Sequence, residues 1–97
     1  MKNKCLLGLV VGQSIRVSIL DFFIENRELD FGAGDVAEEL TVSRQAVYNI
    51  IKDLVKDGLL VKSRVLKNKT LYSFNNKSSR GVLLINFYDG LITVVGY

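Results

Sequence analysis

Between Ser14 and Asn26 the apolar residues Ile15, Ile19, Phe22 and Phe23 return every three or four positions, and Val17, Leu20 and Ile24 widen the stripe. This spacing predicts an amphipathic helix capped by Ser14, ended by Asn26 and followed by the loop Arg27-Glu28-Leu29-Asp30. More than half of its circumference is apolar, so it should be covered on two sides. Phe31-Gly32-Ala33-Gly34 reads as a short extended lead-in to a second helix, Asp35 to Leu40. There Asp35, Glu38 and Glu39 suit the positive N-terminal end of the helix, and Val36, Ala37 and Leu40 form the inner face. Thr41 and Val42 make a tight turn. Ser43 then caps a third helix that runs to about Asp57 and stops at Gly58. Its apolar set is Ala46, Val47, Ile50, Ile51, Leu54 and Val55; Arg44, Gln45, Tyr48, Asn49, Lys52 and Lys56 make a donor-rich polar face.

After Gly58 the period falls from 3.6 to 2. Leu60 to Val65 and Thr70 to Phe74 alternate like two strands of a hairpin joined by Leu66-Lys67-Asn68-Lys69, a basic tip in which Asn68 tolerates the left-handed conformation. Ser79 to Tyr97 fits two patterns. As a hairpin it turns at Asp89-Gly90; as a helix it confines Asn86, Asp89/Gly90 and Thr93 to one narrow polar stripe and carries Gly90 at a cost of roughly 1 kcal/mol. Periodicity alone leaves the two readings level.

Composition narrows the chemistry. With 97 residues, 48% of them apolar, the chain is long enough for one core and too apolar to be disordered. A mean hydropathy of +0.23 is high for so small a domain and points to surface covered by a partner, most simply a second copy. Cys5 is the lone cysteine and histidine is absent, so zinc sites, Cys/His or Ser/His nucleophiles and an imidazole switch have no parts. We therefore expect a protein that is not an enzyme, binds no metal and needs no cofactor, and whose unpaired thiol suits the reducing cytoplasm. Lys2, Lys4 and the apolar run Cys5 to Val11 faintly suggest a signal peptide, but the run is short and no small-residue cleavage site follows before Arg16. It is also far short of the roughly 20 residues that span a membrane, so core packing is expected for it, and for Cys5 within it.

Charge is distributed unevenly. Residues 21–40 hold seven acids against one base, whereas residues 41–80 hold nine Lys/Arg against two acids. An anionic polymer would meet the basic half. The acids Glu25, Glu28, Asp30, Asp35, Glu38 and Glu39 read as a solvated surface of the first two helices rather than a metal or acid–base site.

Two short helices joined by a tight turn and followed by a basic hairpin form a winged helix-turn-helix pattern. The run from Asp35-Val36-Ala37-Glu38-Glu39-Leu40 through Thr41-Val42-Ser43-Arg44-Gln45-Ala46-Val47-Tyr48, continued by Leu54-Val55-Lys56-Asp57-Gly58-Leu59-Leu60, resembles the prokaryotic, and especially archaeal, ArsR/MarR-like regulators. Gly12 to Leu20 is similar to that family's first helix, and the likeness spans roughly residues 12–75. It departs from the pattern at Gly34, where a Ser or Thr usually caps the second helix, and in lacking the Cys/His clusters of the metal-binding subgroups. The resemblance implies an α+β, mainly α fold: a winged helix-turn-helix domain over 1–78 (three helices plus a β-hairpin wing) and a C-terminal apolar dimerisation segment over 79–97. It tips that last segment towards helix.

It also implies sequence-specific binding of double-stranded DNA by a cytoplasmic transcription regulator, with the helix 43–57 in the major groove and the wing 61–74 on the backbone or in the minor groove. Arg44 and Gln45 then read bases, because Arg matches guanine O6/N7 and Gln matches adenine N6/N7. Tyr48 and Asn49 continue the reading face, Tyr48 having a half-buried place against the hairpin as its other reading. Ser43, Lys52, Lys62, Arg64, Lys67 and Lys69 are the expected phosphate contacts. Leu6, Leu7, Leu9, Val10, Leu83, Leu84, Phe87, Leu91 and Val94 are the expected homodimer interface. A winged-helix protein–protein adaptor and an architectural DNA-binding protein fit the same pattern, whereas an RNA binder would lack a stacking platform of aromatic residues.

Overall fold

The computed structural model describes residues 6–95, which leaves residues 1–5, with Lys2, Lys4 and Cys5, and residues 96 and 97 outside the description. In chain order the elements are α1 (Gly8–Val11), α2 (Ile15–Glu25), α3 (Ala33–Leu40), α4 (Arg44–Lys56), β1 (Leu60–Leu66), β2 (Lys69–Phe74) and α5 (Ser79–Val95). No described helix is long and apolar enough to cross a membrane.

Local chemistry sets the helix ends. The extended Ser14 accepts the Val17 N–H on its hydroxyl at 3.1 Å, and Ser43 does the same for Ala46 at 3.1 Å. At the far end of α4, Gly58 takes φ +81°, its N–H reaching the Val55 carbonyl and the Leu59 N–H reaching that of Leu54. The same double bond closes α3 around Thr41, which is left-handed at φ 58°, a conformation a β-branched residue adopts at a cost. That closure is the tight turn which sets α4 across α3. One boundary differs from the sequence reading: α3 begins at Ala33, not Asp35. Gly32 is its N-cap, and Asp35, two residues into the helix, reaches back to accept the Gly32 N–H at 2.9 Å. Gly34 therefore lies inside the first turn and is no cap.

β1 and β2 form an antiparallel hairpin turned by Lys67 and Asn68, both left-handed at φ 50° and 66°. A two-residue hairpin turn needs positive φ at both centres to match strand twist, so the turn is tighter than the four-residue tip expected. Phe31 adds a short third ladder, exchanging both backbone bonds with Tyr72 at 2.8 Å. The last segment is a helix, α5, which settles the choice periodicity left level. Its buried Gly81 lies so close to the Asn75 carbonyl that a β-carbon there would overlap backbone, and its buried Tyr88 joins the core.

That core gathers Ile19, Phe23 and Ile24 of α2, Val36 of α3, Val47, Ile51 and Leu54 of α4, and Leu60, Tyr72 and Phe74 of the hairpin. As expected, α2 is covered on two sides: Phe23 faces this core, while Ser18 and Asp21 are buried too, with the Leu7 N–H donating to the Asp21 carboxylate at 3.0 Å. Leu6 and Leu7 are inside the protomer's own core, as expected for the run they belong to, and so leave the interface between copies that was also expected of them. Burial of the two apolar side chains is the larger gain, and this hydrogen bond fixes where the segment lies against α2.

Burial pushes the Asp21 carboxyl up from its ordinary value of 3.8, Glu25 adds to the rise, and the Leu7 N–H opposes it. A folded value above the unfolded one means that the group's stability contribution is full below the ordinary carboxylate range and is lost as pH rises through the raised value. Asp21→Asn keeps an acceptor for Leu7 and removes the buried charge. Its melting temperature at pH 7 should match or exceed that of the parent, with the gap closing near pH 4. Asp21→Ala should cost about 1–3 kcal/mol by orphaning the Leu7 N–H. A clear loss of stability in the Asn variant at pH 7 would contradict the assignment.

Candidate nucleic-acid interface

The N-terminal half of α4 and the wing flank one open groove of about 650 Å³, lined among others by Arg44, Tyr48, Lys62, Asn68, Lys69 and Tyr72. Arg44 and Gln45 are exposed on the first turn of α4, immediately after the Ser43 cap. One turn on, Tyr48 is 42% exposed, with the Lys52 ammonium 5.5 Å from its ring centre on one side and Lys62 and Tyr72 of the wing across the groove on the other. Gln45 donates its amide to the Asn49 Oδ1 at 3.2 Å, so these two side chains form one polar unit along the helix. Lys67 stands at the exposed wing tip.

Residues 16–65, half of the chain, match the family described as HTH domain. The chain belongs to that helix-turn-helix family. No curated protein matches it. Among solved structures it is similar to ZitR of Lactococcus lactis at 20% identity and a TM-score of 0.60, covering 76% of this chain and 55% of that one. HlyU of Vibrio cholerae in its reduced form aligns at 19% identity and a TM-score of 0.62, over 89% of this chain and 84% of its own. A MepR variant of Staphylococcus aureus bound to an oligodeoxyribonucleotide aligns at 13% identity and a TM-score of 0.67, over 94% of this chain and 65% of its own. At these identities the likeness establishes the winged-helix fold; the chain spans little more than half the length of ZitR.

Not every helix-turn-helix side chain singled out in the sequence lies in the groove. Strict alternation puts Lys62 and Arg64 on one face of β1. A bulge at Ser63 breaks it: Lys62 pairs with Tyr72, but Arg64 pairs with Leu71. Arg64 accordingly turns to the other face, where its Nε donates to Asp30 at 2.9 Å beside the Ser63 hydroxyl at 2.8 Å. It lines a separate open cleft with Asp30, Asn75 and Lys77, away from Arg44 and Lys69.

The acids also differ from the solvated surface expected of them. Glu25, Glu28, Glu38 and Glu39 are exposed, but Asp30 and Asp35 grip the wing from either side. The Ser63 hydroxyl and the Arg64 guanidinium hold the Asp30 carboxyl below its usual range; Lys69 and the Gly32 N–H do the same for Asp35. These lowered values keep both clamps intact at neutral pH, and the clamps release only as pH falls below the ordinary carboxylate value. Sequence spacing gave no sign of the pairing, since each partner lies 34 residues from its acid. Among the described residues no group of three or more Cys, Asp or Glu is placed to hold a metal ion.

Proposed function

We propose that this chain is a sequence-specific, double-stranded-DNA-binding transcription regulator that acts in the cytoplasm as a homodimer, by binding rather than by catalysis and without a metal or other cofactor. One observation carries the reading: Arg44 and Tyr48 of the helix and Lys62 and Lys69 of the wing flank a single groove. Helix-turn-helix proteins set the second helix of the motif in the major groove, and here that is α4. Arg44 and Gln45 read base edges, with Tyr48 and Asn49 further along the same face. Ser43, Lys52, Lys62, Lys67 and Lys69 contact the backbone, and Arg64 drops out of that set because Asp30 holds it on the far face. The oligodeoxyribonucleotide bound by the similar MepR fold supports the same choice of ligand.

The test is fluorescence anisotropy with a random duplex and with the DNA upstream of the protein's own gene, across a salt series. Tighter upstream binding on a steep salt dependence is expected. Changing Lys67 at the wing tip to alanine should weaken both duplexes alike and flatten the plot of log affinity against log salt by about one unit, for one phosphate contact. A loss confined to one duplex would contradict the phosphate assignment, and no binding to either at low salt would overturn the function.

For the dimer, the supporting surface is the outer face of α5. Leu83, Phe87 and Val94 recur at helical spacing and are exposed, Leu83 to 69% and Val94 to 83%. Gly90 lies between them with open space where a side chain would be, so a second helix can approach closely there. Leu9 and Val10 of α1 are exposed as well, whereas Leu84 and Leu91 are half-buried against the protomer's own core and contribute less than the sequence suggested. A two-fold dimer would set its recognition helices about 34 Å apart, one turn of DNA. Sedimentation at micromolar concentration should give twice the 10.9 kDa chain mass, reduced to one chain by Phe87→Glu. A parent species of 10.9 kDa would remove the dimer.

A further inference from the structure

Of the cations facing the groove, Lys69 is held by the protein itself. Lys69 places its Nζ 2.8 and 2.9 Å from the two Asp35 carboxylate oxygens, and its aliphatic stem lies over Gly32, 2.7 Å from where a β-carbon would stand. Arg44 lies back over Gly34 in the same way, its guanidinium 2.7 Å from a β-carbon position there and close enough for its charge to act on Asp35. The run Gly32-Ala33-Gly34-Asp35 is thus a bare shelf on the first turn of α3. Two long basic side chains, one from the wing and one from the recognition helix, rest on its glycines; Glu38 lines the same groove, and Lys69 pairs with the Asp35 carboxylate. That carboxylate is itself fixed by the Gly32 N–H.

We propose that Asp35 is an internal counter-ion that restrains the DNA site: in the free protein its carboxylate takes the place beside Lys69 that a DNA phosphate takes in the complex. The proposal rests on the DNA-binding reading above. A DNA phosphate must displace or share this resident counter-ion to recruit Lys69, so binding to every duplex is weakened. The cost falls on random and cognate duplexes alike, and base contacts by Arg44 supply the margin by which the cognate duplex is held. Asp35 thereby sets the strength of the wing's phosphate contact from within the protein.

The experiment compares Asp35→Asn with the parent on random and upstream duplexes over the same salt series. Asparagine keeps an acceptor for the Gly32 N–H and removes the charge. Affinity for both duplexes should rise roughly two- to tenfold at low salt, with a salt dependence steeper by about one unit. In a Lys69→Met background the gain should shrink, because the paired cation is gone. Asp30→Asn makes the same change in net charge on the far face of the wing and should leave the slope unaltered. Should Asp35→Asn melt too low to read, Asp35→Ser replaces it as a residue suited to a helix start. Unchanged or weaker binding by a folded Asp35 variant would overturn the proposal, as would an equal gain from Asp30→Asn. Parent protein that binds no duplex at all would instead overturn the function on which the proposal stands.

Discussion

Truncating Arg44 to alanine is expected to weaken binding to the cognate duplex by about 1–3 kcal/mol and to relax base preference at one position of each half-site, while random-duplex binding falls far less. The residue is exposed on the first turn of α4, where a helix in the major groove brings side chains to base edges. Its planar guanidinium offers two parallel donors to guanine O6 and N7, a match that lysine cannot reproduce. The fold should be indifferent to the change. Ser43 continues to cap the helix through Ala46, and the core beneath is built from Val47, Ile51 and Leu54. Equal melting temperatures with unequal DNA specificity are therefore the expected pair of results. Gln45→Ala should have a smaller effect, because the Gln45 amide must leave Asn49 before it can read adenine. A ratio of cognate to random affinity unchanged by Arg44→Ala would remove it as a base reader.

The largest stability loss is expected from Phe23→Ala. This ring is fully buried at the centre of the molecule and meets Phe22 and Phe31 edge-on, at 5.8 and 6.0 Å between centroids. Phe31 in turn pairs its backbone with Tyr72 of the wing, so the aromatic cluster joins α2 to the hairpin. Removing a buried phenylalanine costs about 3–5 kcal/mol, from lost transfer energy and from the cavity left behind. For a domain of this size each kcal/mol moves the melting point by about 4–8 °C, so a fall of roughly 12 °C or more is expected. Against a total stability of about 5–15 kcal/mol, the variant would keep only a narrow margin. Calorimetry or a thermal melt followed by circular dichroism checks this, and a shift below about 5 °C would mean that the cluster is not the centre of the core.

Much of this architecture is legible in the chain because its signals are local. Ser14 and Ser43 cap helices through hydroxyls only three residues from the amides they satisfy, and Gly58 stops α4 through its own backbone freedom. The change of period after Gly58 marks the wing for a similarly local reason, since side chains alternate along each strand. Arg44, Gln45 and Tyr48 could be placed on an exposed face from spacing alone. The start of α3 could not, because Gly32 offers no capping side chain and the compensating group, Asp35, lies within the helix.

The order of elements, the helix-turn-helix and the basic character of the wing are thus consequences of contacts within a few residues along the chain. Tertiary structure alone decided which cations share a face. A single bulge at Ser63 turned Arg64 away from Lys62, and Asp30 and Asp35 captured Arg64 and Lys69 across 34 residues. It also packed Leu6 and Leu7 into the core, where the Leu7 N–H donates to Asp21, and so removed them from the expected interface. The physical reason is common to all three. Periodicity records which way a side chain points from its own element, whereas its partner is set by packing between distant segments, where a buried amide or a nearby carboxylate competes with solvent and wins.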